Sequence, residues 1–397
     1  MPSGRGRRSL AAAAAALALG FAGCGREAPL EDRVLKRVEA KDFDGALAIL
    51  DRQAAKAPAD EAAKALRVRV LLAAGRVDQA LSSYAALPGA AIAQNPRLAR
   101  QVGLTLVRSA FRSRDSYLES RGAMALAALG DAKAMPLFRE ALGHANPSVR
   151  ALALRGLGRV KGPEAEALAQ GALKDEDGGV RAVAAEALGV MRAQGAGEAL
   201  RAALKDREHA VRLRAAVALA LLGDAQGEAI LRRILQAQGE ATPRDPFDRI
   251  VAAEALARQG DPAARDLLVD MLENPRDAVA LFAAEALSNL GDQAPRAFLQ
   301  QAAQAAPDRE DRMWATWTLA RLGDGAGAPG LADMLADGDE HLRVRAAWTL
   351  GQMGRLAPLE PLRKALADSD LVVRYQAAWS LGEIVLSAAP PPKPGEG

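Results

Sequence analysis

Apolar and small residues recur along this chain at i, i+3, i+4 and i+7, the spacing that lines one face of a helix. The clearest stretch is Asp370-Leu371-Val372-Val373-Arg374-Tyr375-Gln376-Ala377-Ala378-Trp379-Ser380-Leu381-Gly382, and the same phrase recurs upstream as Leu342 to Gly351. Taking the residue at Arg374 as an anchor, equivalent positions fall at 150, 181, 212, 249, 280, 312 and 343, in steps of 31, 31, 37, 31, 32, 31 and 31. A fixed period near 31 means one supersecondary unit stacked many times. Each period predicts two helices. The B helix starts at the anchor, and the A helix lies between a Gly-Asp turn and the next acid, as in Asp224 to Gln236 and Asp261 to Leu272. An earlier copy has Glu119 at the anchor, with Leu126, Gly130 and Asp131 in register, so nine B helices are expected.

The residue types follow the geometry. Ala at anchor +3, +4 and +6 lets helices pack closely, and Leu at +7 fills the core. Acid or Asn four residues before the anchor (Asn146, Asp177, Glu208, Asp245, Asp308, Asp339, Asp370) suits a helix N-cap. An anchor Arg within reach of a neighbouring repeat's Asp predicts a ladder that sets register. The long step from 212 to 249 carries six extra residues within Gln238 to Pro246, and their prolines and glycine predict a tolerated surface loop.

This phrase resembles HEAT repeats of the short bilin-lyase-like (PBS lyase) class, over residues 96–387. The resemblance implies an all-α, right-handed solenoid of about nine hairpins with B helices on the concave face. Residues 30–88 predict four further helices, at Leu30–Ala40, Phe43–Lys56, Ala62–Ala74 and Val77–Leu87. Within them Lys41 to Leu47 and Gly75 to Leu81 resemble tetratricopeptide hairpins, although the signature Trp and Tyr are absent. Two such hairpins bury too little by themselves and are expected to cap the array.

Composition narrows function. Alanine richness with only 4% aromatic residues favours helix. Arg5, Arg7 and Arg8 account for the whole formal net charge of +3, so no global field favours nucleic acid. Those arginines precede an apolar run from Leu10 to Ala22, which reads as an export signal, residues 1–23, too short to span a membrane. Phe21-Ala22-Gly23-Cys24 resembles a bacterial lipobox, with Cys24 the lipidated residue and the only cysteine. A linker at 24–29 follows, and Gly25 after the cysteine leans towards the outer membrane. The tail 388–397 is too proline-rich for helix.

The three histidines, His144, His209 and His341, do not share a register, so neither a metal nor another cofactor is expected. HEAT-type hydroxylases carry recurring His-Glu motifs that are missing here. Nucleophile elbows and phosphate loops are missing too. The B-helix position +5 reads Arg155, Glu186, Val217, Glu254, Glu285, Trp317, Trp348 and Trp379, mostly charged and then aromatic. Trp314 adds a ring one turn away, and Arg321, Arg345, Gln352, Gln376 and Glu383 share that face. Three arrangements fit: a ligand strip with a polar rim, rings laid flat between helices, or rings packed beneath the tail. The strip reading implies a non-catalytic, membrane-tethered scaffold for a protein partner. A cell-wall glycan or peptide would suit the same rings by stacking, and a bilin-lyase-like enzyme follows only from kinship.

Overall fold

The computed structural model describes residues 28–113, 115–129, 132–236, 246–273, 278–306 and 308–388. The expected export signal, Cys24, most of the six-residue insertion and the tail beyond Ala388 lie outside these. The chain forms two compact units, divided between Leu66 and Arg67.

The first unit holds α1 (Leu30–Glu39), α2 (Phe43–Lys56) and the start of α3 (Glu61–Ala73). Val34 packs against the face of α2 that buries Ala46, Leu47 and Leu50. Asp42 begins α2 by accepting from the Gly45 N–H at 2.9 Å and takes Arg37 at 2.6 Å. Those two interactions, the backbone bond first, hold its carboxyl below the usual range. Asp60 does the same for α3, accepting from the Ala63 N–H and from Gln53.

The second unit continues with α4 (Val77–Ala85), α5 (Gly89–Ala93) and the long α6 (Pro96–Arg112). The B helices are α7 (Ser116–Leu129), α9 (Pro147–Val160), α11 (Gly178–Met191), α13 (His209–Leu221), α15 (Pro246–Ala257), α17 (Ala278–Asn289), α19 (Arg309–Arg321), α21 (Glu340–Gln352) and α23 (Leu371–Ala388). Between them run the A helices α8 (Met135–Leu142), α10 (Pro163–Ala172), α12 (Gly197–Ala203), α14 (Ala225–Gln236), α16 (Pro262–Asp270), α18 (Arg296–Ala305), α20 (Ala328–Met334) and α22 (Leu359–Ala365). With α6 as the first A helix, nine pairs result among the described residues.

The repeat phrase explains the stack. Leu157, Leu188, Leu219, Leu256, Leu287, Leu319, Leu350 and Leu381 at +7 are each at most 1% exposed. Each contributes roughly 2 kcal/mol of apolar burial. Asn146, Asp177, Asp308, Asp339 and Asp370 cap their B helices as the pattern requires, while Glu208 makes no side-chain cap bond. The B-to-A turn needs a left-handed residue. Glycine supplies it at Gly223, Gly260, Gly291 and Gly323 (φ +76° to +93°), and Arg192 does so without that freedom (φ 56°).

Two ladders of ion pairs fix register. Anchor arginines reach forward one repeat: Arg150 grips Asp175 through two bonds at 2.9 and 2.8 Å, Arg181 grips Asp206, and Arg343 grips Asp368. The acceptor stands six residues before the next anchor, two ahead of the capping acid. Each of these guanidiniums also donates to two carbonyls of its own loop, as Arg181 does to Asp175 and Glu176. Along the A helices, Arg201–Asp224, Arg232–Asp261, Arg265–Asp292 and Arg296–Asp324 form a second, more exposed ladder.

The array returns on itself. α23 packs on α21 on one side and on α6 and α7 on the other. Tyr375 and Ser109 share a hydrogen bond at 3.3 Å, the Tyr117 and His341 rings meet edge to face at 5.8 Å, and Arg363 donates to the Ala85 carbonyl at 2.9 Å. Within this unit, α4 to α6 therefore lie at the joint between first and last repeats and do not cap a free end. An open concave groove, as the family resemblance implied, gives way to a closed ring of B helices.

Candidate binding lumen

Three positions of each B helix, +2, +5 and +9, point the same way because they fall on one helical face. In a closed ring that face turns inward. It lines a half-open cavity of about 820 Å³, and every lining residue lies on an odd-numbered helix from α9 to α21 except Arg258, which follows α15 directly.

One part of the wall is aromatic. Phe282, Trp314, Trp317 and Trp348 line it, and Phe247 meets Phe282 edge to face. The rings make a continuous run: Phe247–Phe282 at 4.8 Å, Phe282–Trp314 at 4.7 Å, Trp314–Trp317 at 6.5 Å and Trp317–Trp348 at 5.8 Å. These tilted and edge-on geometries are the favourable ones for ring quadrupoles. The Arg321 guanidinium lies 5.4 Å from the Trp317 ring centre, a cation–π distance.

The rest of the wall is charged. It carries Arg155, Arg159, Arg214, Arg258, Arg321 and Arg345 against Glu186, Glu254, Glu285 and Glu310. Each glutamate has an arginine beside it: Glu186–Arg214 at 3.7 Å, Glu254–Arg258 at 2.6 Å, Glu285–Arg321 at 3.8 Å, and Glu310 with Arg345. Burial still pushes the Glu254 and Glu285 carboxyls up, against the pull of those arginines. The field of Arg155 reaches Glu285 from across the lumen. Trp314 Nε1 makes no full hydrogen bond, yet its dipole also favours the Glu285 carboxylate.

The residues singled out from sequence divide in two. Trp314, Trp317, Arg321, Arg345 and Trp348 meet on the lumen wall. Trp379 and Gln376 do not: they are 2% and 3% exposed, and the ring of Trp379 packs against Tyr375 at 5.8 Å. The expectation that Trp379 points at a ligand is corrected by the closure, because α6 and α7 cover the face that other repeats expose. Gln352 donates to Glu383 at 2.9 Å across the last helix step. Burial pushes the Glu383 carboxyl up to about 8, against the field of Arg159 and the bond from Gln352. Phe282 and Arg159 were missed, although the same alignment places them at +2 and +9. Among the described residues no group of three or more His, Cys, Asp or Glu is arranged to hold a metal.

A family model described as HEAT repeats matches residues 103–168, 165–245, 240–320 and 328–392. A tetratricopeptide-repeat model matches residues 37–100. No curated protein sequence matches the chain. Among solved structures, the Escherichia coli protein YibA is 21% identical over 61% of this chain and 91% of its own, with a TM-score of 0.31. The complex of CpcE and CpcF of phycocyanin lyase from Nostoc is 24% identical, over 62% and 92%, with a TM-score of 0.34. Human deoxyhypusine hydroxylase in complex with glycerol is 21% identical, over 72% and 99%, with a TM-score of 0.33.

Proposed function

This chain belongs to the HEAT-repeat family, and from that premise we propose that it is a non-catalytic scaffold whose lumen binds a segment of a protein partner. The carrying observation is that seven B helices turn one face each into a single cavity with an aromatic wall. Aromatic rings and arginines are the residues that dominate recognition surfaces. The cavity volume of about 820 Å³ lies within the usual span of ligand pockets, about 300–1,000 Å³. It suits a few residues of extended chain and excludes a folded domain. Binding is favoured over chemistry because the glutamates facing the lumen are each held by an arginine, and its other prominent groups are rings.

The proposed scaffold is tethered to the bacterial envelope through lipid on Cys24, read from the apolar leader and the lipobox-like Phe21 to Cys24. Several acyl chains would anchor it stably.

Affinity capture from native membranes tests the binding site. Replacing Trp314, Trp317 and Trp348 together by Ala should abolish partner recovery while far-ultraviolet circular dichroism stays helical. Unchanged recovery removes the lumen as the site. For the tether, Cys24→Ser should release the protein from membranes and stop incorporation of an alkyne fatty acid. Retained labelling refutes it.

A further inference from the structure

The charge balance of the lumen selects among peptides. Six guanidiniums face four glutamates on its wall, and every one of those glutamates already has an arginine next to it. Glu383 of α23 lies in the field of Arg159. Counting it as ionised still leaves a surplus of one positive charge. Arg155, exposed on α9, has no carboxylate at ion-pair distance among the described residues; its field falls on Glu285, which Arg321 already neutralises. A charge that lines a cleft with apolar walls counts for more than one on a flat surface.

Resting on the reading that the lumen holds a partner segment, we propose that this segment is acidic. It is a short extended peptide that sets a carboxylate on Arg155 and apolar side chains on Trp317, Trp348 and Phe282. Arg gives a carboxylate a bidentate fork, the strongest of the common side-chain bonds. A basic peptide would face the surplus charge and would have to compete with arginines for each glutamate. A neutral sugar would occupy the rings and leave Arg155 without a partner. A nucleic-acid strand carries charge at every step and would meet the four glutamates spread around the wall. A peptide places its charges selectively, so it can avoid them.

The four tryptophans supply the readout, since three of them line the lumen. Intrinsic fluorescence of the full chain is titrated with three octapeptides that share a Leu/Gly framework and carry Asp, Lys or Ser at the same positions. The Asp peptide should bind at least tenfold more tightly than the Lys peptide, with the Ser peptide between. Arg155→Glu should invert that order, and the milder Arg155→Gln should level it, with helicity checked by circular dichroism. Equal affinities in the parent, or a preference for the Lys peptide, overturn the acidic assignment while leaving peptide binding in place. No response to any of the three, with an unchanged Trp317→Ala signal, overturns the lumen reading itself. Tighter binding of a chitin oligosaccharide or an oligothymidylate than of the Asp peptide overturns the choice of ligand class.

Discussion

The ring has a tight arc and a wide arc, and one residue per repeat separates them. At anchor +8 the tight arc carries Gly158, Gly189, Gly351 and Gly382. A Cβ on Gly189 would stand 2.8 Å from the Cα of Ala218, one on Gly351 2.6 Å from Ser380 Oγ, and one on Gly158 3.5 Å from the Cα of Ala187. The wide arc, α13 to α21, carries Ala220, Ala257, Ser288 and Ala320 there, and its neighbouring B helices touch over shorter stretches. Phe282, Trp314 and Trp317 project from this wide arc. The aromatic wall therefore marks where the helices stand apart, and the glycines mark where they close up. A lumen whose rings gather on one arc, while its arginines are distributed around the wall, is a consequence of uneven helix spacing.

The comparison can be broken from the tight side first. Glu383 of α23 is buried, bonded by Gln352 of α21 and in the field of Arg159, with its carboxyl pushed up from 4.5 to about 8. The folded state then holds a proton that the unfolded chain releases near pH 4.5. The contribution of Glu383 to stability falls as pH rises between those two values and is constant outside them. Glu383→Gln should flatten that slope and exceed the parent above pH 8 by on the order of 4 kcal/mol, read by urea melts across pH. The next largest effect is Arg181→Ala. It leaves Asp206, whose side chain is 15% exposed, without its two-bonded partner, and should cost about 3 kcal/mol. Arg309→Ala, which removes the exposed Arg309–Asp337 pair, should leave the melting temperature unchanged.

Gly189→Ala should cost about 2 kcal/mol by forcing α11 and α13 apart. Ala257→Gly on the wide arc should lose only helix propensity, about 1 kcal/mol. Equal losses at the two sites would refute the spacing argument. A smaller change than either is Tyr375→Phe, which removes the bond to Ser109 and should cost under about 1 kcal/mol. Faster hydrogen exchange confined to α6 and α23 would sharpen the assignment of that contact to the closure.

Much of this architecture was legible from period alone. The nine helix pairs, the inward face and the capping acids follow from a single aligned phrase. Closure was not legible, because the period counts repeats while the rotation between them depends on how closely each helix pair approaches. The deciding residue was nonetheless in view. Gly382 carries the close-approach glycine, and its partner is the backbone of α6, with Ala99 O 3.5 Å from where its Cβ would be. The reading of Trp379 failed for the same reason: alignment assumes like neighbours, and the last helix has α6 and α7 instead. Phe282 occupies the +2 position of its repeat, where other repeats carry polar residues such as Arg345 and Gln376, so its type gives no recurring signal. The Arg ladder was expected, yet its acceptor lay two residues ahead of the capping acid, where the guanidinium can also reach its own loop carbonyls.

A linear array can be lengthened by duplicating one unit, since each new copy meets the same neighbour as the last. A circle cannot. Once α23 rests on α6 and α7, a tenth copy has no place and an eighth leaves a breach. The number of copies is set by that closure. A duplicated unit would here spring the joint between α23 and α6 and open the lumen.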